Sequence, residues 1–243
     1  MRLIYTDSYD EMSEVAAQIM LGVMHSKSHR VNIAPTTGTS PKRLYEILAP
    51  KLADVDYFDH IHYYGFDETP FRKSTHKEGR IQTNLRNMFL TPAKVKEENM
   101  HPLTMDNYQD RDKELEEQGG LDLIVLGLGE DGHFCCNFPH YAKFDQMTVG
   151  IPMEGSLYDM YAEIFDEEEE ISELLLTMGP KAVMKAKEIL LIVNGDHKKE
   201  ILDRILTGPV DENIPATILP LHPNITIVVD PDAASIIKEK GVK

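Results

Sequence analysis

The sequence predicts an α/β fold: a Rossmann-like, doubly wound, mostly parallel sheet with helices on both faces. Three observations predict it. Short apolar runs such as Val31–Ala34, Leu121–Leu126 and Ile225–Val229 alternate with stretches whose apolar residues recur at helical spacing. Several of the runs are apolar throughout, as strands covered on both faces must be. The runs also break off at glycines and small polar residues, the kind of joint at which open α/β sheets bind their ligands.

Taken in order, Arg2–Tyr5 reads as a short strand. Ser8–His25 reads as a helix, because Met12, Val15, Ala16, Ile19, Met20 and Val23 fall on one face. Val31–Ala34 is a strand, and Pro41–Leu48 begins a helix with proline in its first turn, where the missing N–H costs nothing. Ile61–Phe66 is a strand that runs into Asp67-Glu68. Gly79–Phe89 is helical, and Asp106–Glu117 is a polar surface helix. Leu121–Leu126 is a strand. A helix over Lys181–Lys187 precedes the strand Glu188–Val193. His197–Leu206 is a helix stopped by Gly208-Pro209, and the strand Ile225–Val229 is followed by the helix Ala233–Lys240. Repeats, low-complexity linkers and composition breaks do not occur, so one α/β domain is expected over residues 1–243.

Composition narrows the function. Hydrophobic residues make up 42% of the 243 and charged residues 27%, enough apolar side chains for a core. Apolar runs fall well short of the ~18 residues that span a bilayer. The amino terminus turns acidic within its first residues, unlike a secretory signal, so a cytoplasmic location with no membrane partner is expected. The net charge of −16 argues against nucleic acid, whose phosphates require a basic footprint. A small phosphorylated ligand needs only a local anion site and stays allowed. The two cysteines, Cys135 and Cys136, are adjacent and build neither a zinc site nor a disulfide framework; they read as small buried side chains beside a site. The five consecutive acids Asp166 to Glu170 read as a solvated surface segment, with a lid over the site as the alternative.

Four constellations carry chemistry. PTTGTSP (Pro35–Pro41) follows a strand and opens a helix, so its backbone N–H groups and the Thr39 and Ser40 hydroxyls can cradle an anion, with Gly38 supplying the turn. The Gly-Lys-Ser/Thr ending of a nucleotide-binding loop is absent. Asp67-Glu68 follows a strand and can supply a base, or else cap the next turn. LDLIVLGLGEDGHFCCNFP (Leu121–Pro139) ends a strand in Asp131-Gly132-His133, an acid beside the one side chain that titrates near neutrality. NGDHKK (Asn194–Lys199) places Lys198 where a strand gives way to a helix, within reach of a phosphate. All four follow predicted strands, so a parallel sheet would bring them to one edge. A phosphate cradle, an acid, an acid–histidine pair and a lysine suit proton transfer on a small phosphorylated molecule. No cluster with metal-ligand spacing is visible.

At these residues the chain resembles the glucosamine-6-phosphate deaminase/isomerase family, which shares its fold with the 6-phosphogluconolactonases. TTGTSP, FDE, GLGEDGH and NGDHKK fall in family order, and the likeness runs to LPLHPNITIVVDPDAA near the end. LTMGP (Leu176–Pro180) and LPLHP (Leu219–Pro223) favour the deaminase side, as does Thr69, where lactonases tend to carry arginine. GLGEDGH and Phe138-Pro139 favour the lactonase side, because deaminases usually carry glutamate before that proline.

The resemblance implies a hexosamine 6-phosphate (glucosamine or galactosamine 6-phosphate) as substrate, ring opening and proton transfer between carbons 1 and 2. It implies Gly38, Thr39, Ser40 and Lys198 on the phosphate, Asp67 as the base, and His133 as the ring-opening group supported by Asp131. Glu68 and His140 are candidate replacements for the acid missing at Phe138. Neither a metal nor an organic cofactor is required. The alternatives are a lactonase in which His133 activates water, and a non-catalytic sugar-phosphate-binding protein. The family includes monomers and hexamers, which leaves a homo-oligomer open.

Overall fold

The computed structural model describes residues 1–74 and 77–243. The first half contains β1 (Arg2–Tyr5), α1 (Tyr9–Met24), β2 (Val31–Ala34), α2 (Lys42–Leu52), β3 (Ile61–Tyr64), β4 (Asp67–Glu68), α3 (Arg80–Leu85), β5 (Met100–His101) and α4 (Arg111–Glu117). The second half contains β6 (Leu123–Leu126), β7 (Thr148–Pro152), α5 (Ser156–Ala162), β8 (Leu174–Met178), α6 (Pro180–Val183), β9 (Ile189–Val193), α7 (Lys199–Thr207), β10 (Ile225–Val229) and α8 (Ser235–Glu239).

Among the described residues, seven strands pair in parallel in the order β1-β10-β9-β6-β2-β3-β5. Successive side chains of a strand point to opposite faces, and the core divides accordingly. Leu190 and Ile192 of β9 pack with Met12, Ala16 and Met20 of α1 and Leu44, Tyr45 and Leu48 of α2. Ile189, Leu191 and Val193 of the same strand pack with Val183 of α6, Leu202 and Ile205 of α7 and Ile237 of α8. Helices thus cover both faces, as the sequence predicts. This arrangement also explains why β9 and β10 are buried at every position.

Local chemistry sets the ends. Ser8 is the N-cap of α1 and accepts the Glu11 N–H at 3.0 Å. Pro41 stands one residue before α2, matching its predicted place at a helix start.

Four readings are corrected. The strand from Ile61 stops at Tyr64, and Asp67-Glu68 forms a separate strand, β4, in a second sheet of order β4-β8-β7 with antiparallel pairing. β7 and β8 lie in segments with no predicted strand; LLLTM (Leu174–Met178) shows no clean alternation because four of its five residues are buried. The helix expected over Asp106–Glu117 starts only at Arg111, and Arg111 is buried to 1% exposure beneath a polar-looking sequence. The helix expected over Gly79–Phe89 divides into α3 and a π-helical turn, Arg86–Leu90.

Candidate active site

The four constellations meet. A cavity of about 570 Å³ at the carboxyl edge of the large sheet is lined by Gly38, Thr39, Ser40, Asp67, His133 and Lys198. That volume lies within the ordinary range for small-molecule sites. A wider groove of about 840 Å³ lies at the opposite edge, bordered by Arg2, Asp122, Glu188 and Asn224. Its border residues bring together no histidine–carboxylate pair.

The anion loop leaves β2 and turns at Gly38, whose φ of +103° favours glycine. Ser40 is buried; its Oγ donates to Asn194 Oδ1 at 2.5 Å and accepts from Lys198 Nζ at 3.3 Å. The loop after β2 and the loop after β9 are therefore joined through the serine. Lys198 is only 9% exposed, and burial pushes its ammonium pKa down, opposed by Glu130 and Asp230. An anion in the cavity would relieve that cost.

Asp67 is buried and points into the same cavity. Register explains its placement: Asp67 of β4 lies directly opposite Thr177 of β8, and residues so paired share one face of the sheet. Thr177 Oγ1 donates to Asp67 Oδ1 at 2.6 Å, and the Cys136 N–H donates to the same oxygen at 3.2 Å. Burial pushes the carboxyl pKa up to about 7, against the pull of these two donors and of His133.

His133 is positioned by its own turn. Its Nδ1 lies 2.6 Å from Asp131 Oδ1, which also accepts the His133 backbone N–H at 3.0 Å. Burial raises the Asp131 carboxyl pKa, but its bonds with His133 outweigh that and hold it below the usual range. Gly129 makes the turn feasible, since a Cβ there would lie 2.1 Å from His133 Nδ1. With Nδ1 on the carboxylate, Nε2 is left for a ligand. The Phe138 ring lies 4.5 Å from the imidazole and gives that side of the histidine an apolar wall.

Two candidates are not brought into the cavity. Glu68 turns away from it, and its carboxylate accepts the backbone N–H groups of Thr69, Ile81 and Gln82 at 2.8, 2.8 and 2.9 Å. It is an anchor for α3, the capping alternative allowed by the sequence. Burial raises its pKa to about 7. His140 is exposed, in a left-handed turn with φ of +69°, and is not among the lining residues. Neither residue takes the place of an acid at Phe138.

The sequence did not single out Thr177, Tyr161, Arg80 or His197, all of which hold or line the site. Thr177 carried a signal through LTMGP and His197 through NGDHKK; Tyr161 and Arg80 carried none. Cys135 and Cys136 line the cavity as expected, and burial followed by the nearby Asp67 pushes both thiols well up. The acidic run is exposed from Asp166 to Glu169 and half-buried at Glu170; Glu169 accepts from Lys73 and Glu170 from Ser74. Among the described residues no helix is long and apolar enough to cross a membrane, and no group of three or more histidines, cysteines and acids is placed to hold a metal.

The family described as glucosamine-6-phosphate isomerases/6-phosphogluconolactonase matches residues 7–227. A glucosamine-6-phosphate deaminase of Lysinibacillus sphaericus is 34% identical over 236 residues, spanning 94% of this chain and 98% of that protein. One from Thermoanaerobacter pseudethanolicus is 30% identical over 251 residues, spanning 100% and 98%. Among solved structures, a monomeric glucosamine-6-phosphate deaminase superposes with a TM-score of 0.82 at 24% identity, covering 97% of this chain and 100% of its own. The 6-phosphogluconolactonase of Trypanosoma brucei gives 0.72 at 17% identity, covering 97% and 98%.

Proposed function

We propose a function for this chain from one premise: it belongs to the glucosamine-6-phosphate isomerase/6-phosphogluconolactonase family. It is an enzyme that opens the ring of a hexosamine 6-phosphate, moves a proton between carbons 1 and 2, and releases the amino group to leave a ketose phosphate. The observation that carries this reading is the convergence of Asp67, His133, the Gly38–Ser40 turn and Lys198 on one cavity.

The phosphate is held by the turn and by Lys198, whose ammonium form burial disfavours and a phosphate would favour. His133, with Nδ1 fixed by Asp131, exchanges the ring proton through Nε2 and opens the sugar. Asp67 then takes the proton from carbon 2 and returns it to carbon 1. A carboxyl group whose pKa lies near 7 is populated in both protonation states at neutral pH, which is what a shuttle requires. Return of the proton to carbon 1 leaves an imine at carbon 2, to which water adds as ammonia departs; the proton transfers before that use side chains that line the cavity.

The test is an assay of ammonia release and ketose formation over a panel of amino-sugar phosphates. Turnover of at least one is expected, and folded protein that turns over none of them overturns the reading. One observation favours a second reading: Phe138 puts a hydrocarbon face, not an acid, against His133. If His133 activates water instead, 6-phosphogluconolactone is hydrolysed faster than its spontaneous rate, and the first assay is silent.

A further inference from the structure

Arg80 is a half-buried cation on the wall of the cavity. Among the described residues its guanidinium has neither a hydrogen-bond nor an ion-pair partner. Other arginines at the same level of burial are engaged. Arg30 bonds to Asn32 and Tyr64, Arg86 to Glu78 and Glu97, and Arg204 to Asp211 and the Pro209 carbonyl. In a chain of net charge −16, a half-buried arginine with no partner of any kind among the described residues is conspicuous. Partial burial without a counter-charge is costly unless a ligand supplies one.

Its place in the fold tells which part of a ligand it meets. Arg80 opens α3, and α3 is clamped to the Asp67–Glu68 strand, because the Glu68 carboxylate accepts the N–H groups of the next two residues, Ile81 and Gln82. The clamp is tight: a Cβ on Gly79 would fall 2.1 Å from Glu68 Cδ. Arg80 therefore borders the cavity on the Asp67 side, while the phosphate turn and Lys198 are tied to each other through Ser40. One phosphate already has Lys198 and the Ser40 turn.

We propose that Arg80 is a catalytic residue that meets oxygen 1 of the opened sugar and stabilises the negative charge that develops there. This rests on the function proposed above. When Asp67 takes the proton from carbon 2, the C–H electron pair becomes the C1=C2 bond and the carbonyl pair moves onto oxygen 1. Asp67 is then neutral, and the oxyanion faces the guanidinium, a donor fork suited to it. As Asp67 returns the proton to carbon 1, the C1=C2 pair forms the new C–H bond, the nitrogen lone pair closes a C2=N bond, and a proton passes from that nitrogen to oxygen 1, so the charge there is neutralised and the ion pair dissolves.

The test compares two open-chain ligands that differ only at carbon 1: 6-phosphogluconate, which carries a permanent carboxylate there, and glucitol 6-phosphate, which carries a neutral alcohol. Calorimetric titration of the wild type is expected to show the carboxylate ligand binding about tenfold or more tightly, as a charged hydrogen bond allows. R80Q removes the preference and leaves glucitol 6-phosphate within about twofold. On the best amino-sugar phosphate R80Q lowers kcat by roughly 10²-fold or more with little change in KM, as for loss of an oxyanion donor. Equal binding of the two ligands by the wild type, or an equal loss of both in R80Q, overturns the assignment while leaving the phosphate site intact. If the wild type binds neither ligand, the phosphate site fails and the assignment falls with it.

Discussion

Asp67 is kept in an environment that its own charge opposes. Burial raises its pKa from 3.8 to about 7, so between those values the folded state binds a proton that the unfolded state has released. Stability from this group is therefore present at low pH and lost as pH rises through about 7. Asp67→Asn removes that loss. The variant is expected to melt higher than the wild type at pH 8 and by a smaller margin at pH 5, while proton exchange at carbon 2 falls by ~10²–10⁴-fold. Calorimetry at the two pH values and deuterium wash-in from solvent check the two halves separately. Lys198→Ala is expected to raise KM about 10–100-fold with a much smaller change in kcat, because a phosphate contact is made equally in the ground and transition states; steady-state kinetics decide it. At this scale the sequence was legible where function is local. Asp131 and His133 are two residues apart and bond to each other. The partner of Asp67 was illegible for the opposite reason: Thr177 lies 110 residues away and reaches it only through strand pairing.

Among the elements, α3 shows how a residue can look catalytic and be structural. The Glu68 carboxylate joins β4 to the first turn of α3 by taking two of its N–H groups. Truncation to alanine leaves these N–H groups and that of Thr69 without an acceptor. Glu68→Ala is expected to destabilise the fold by more than ~2 kcal/mol, at about 1–3 kcal/mol for each stranded buried donor. Glu68→Gln, which keeps one oxygen, should lose less; urea unfolding of both variants gives the comparison. Six of the seven strands of the large sheet were readable because apolar runs suit two covered faces; β5, two residues long, was not. The small sheet was not: β4 is two residues long, and β7 is largely half-buried with a glycine and a proline among its five residues. Arg111 misled the reading of its helix because a stretch of charges usually marks a wet face. Here the guanidinium instead lies 5.3 Å from the Tyr64 ring centre and donates to the Pro102 carbonyl.

For the molecule as a whole, two opposing sets of groups shape stability against pH. Asp67 and Glu68, both raised to about 7 by burial, favour the folded state as pH falls. His62 and His101 are lowered to about 4, by burial first and then by neighbours that include Arg30. The unfolded chain protonates them near 6.5, so their contribution is lost as pH falls below that value. Two proton-binding gains and two losses nearly cancel between about pH 4 and 6, and above that the carboxyl groups act alone. A flat melting temperature up to about pH 6, then a decline that levels off just above pH 7, is the expected profile. A steady rise across that range would contradict it. At the far edge of the sheet, Asp122 accepts from Lys27 at 2.5 Å, Lys187 at 2.8 Å and the Asn32 N–H at 2.9 Å. Burial raises its pKa, but these donors prevail and hold it low. Its stabilisation is present above the ordinary carboxylate range and fades in acid, so Asp122→Asn should cost ~1–3 kcal/mol at pH 7 and less near pH 3.

The strand order has a consequence for biosynthesis. Among the described residues β1 pairs with β10 alone, Arg2 to Thr226 through Tyr5 to Val229. During translation β1 leaves the ribosome long before the strand it pairs with, Arg2 being 224 residues ahead of Thr226, and its edge stays unmated over that interval. Polypeptides released early at any codon before β10 would keep that edge open, a natural handle for chaperones and proteases to tell unfinished copies from finished ones.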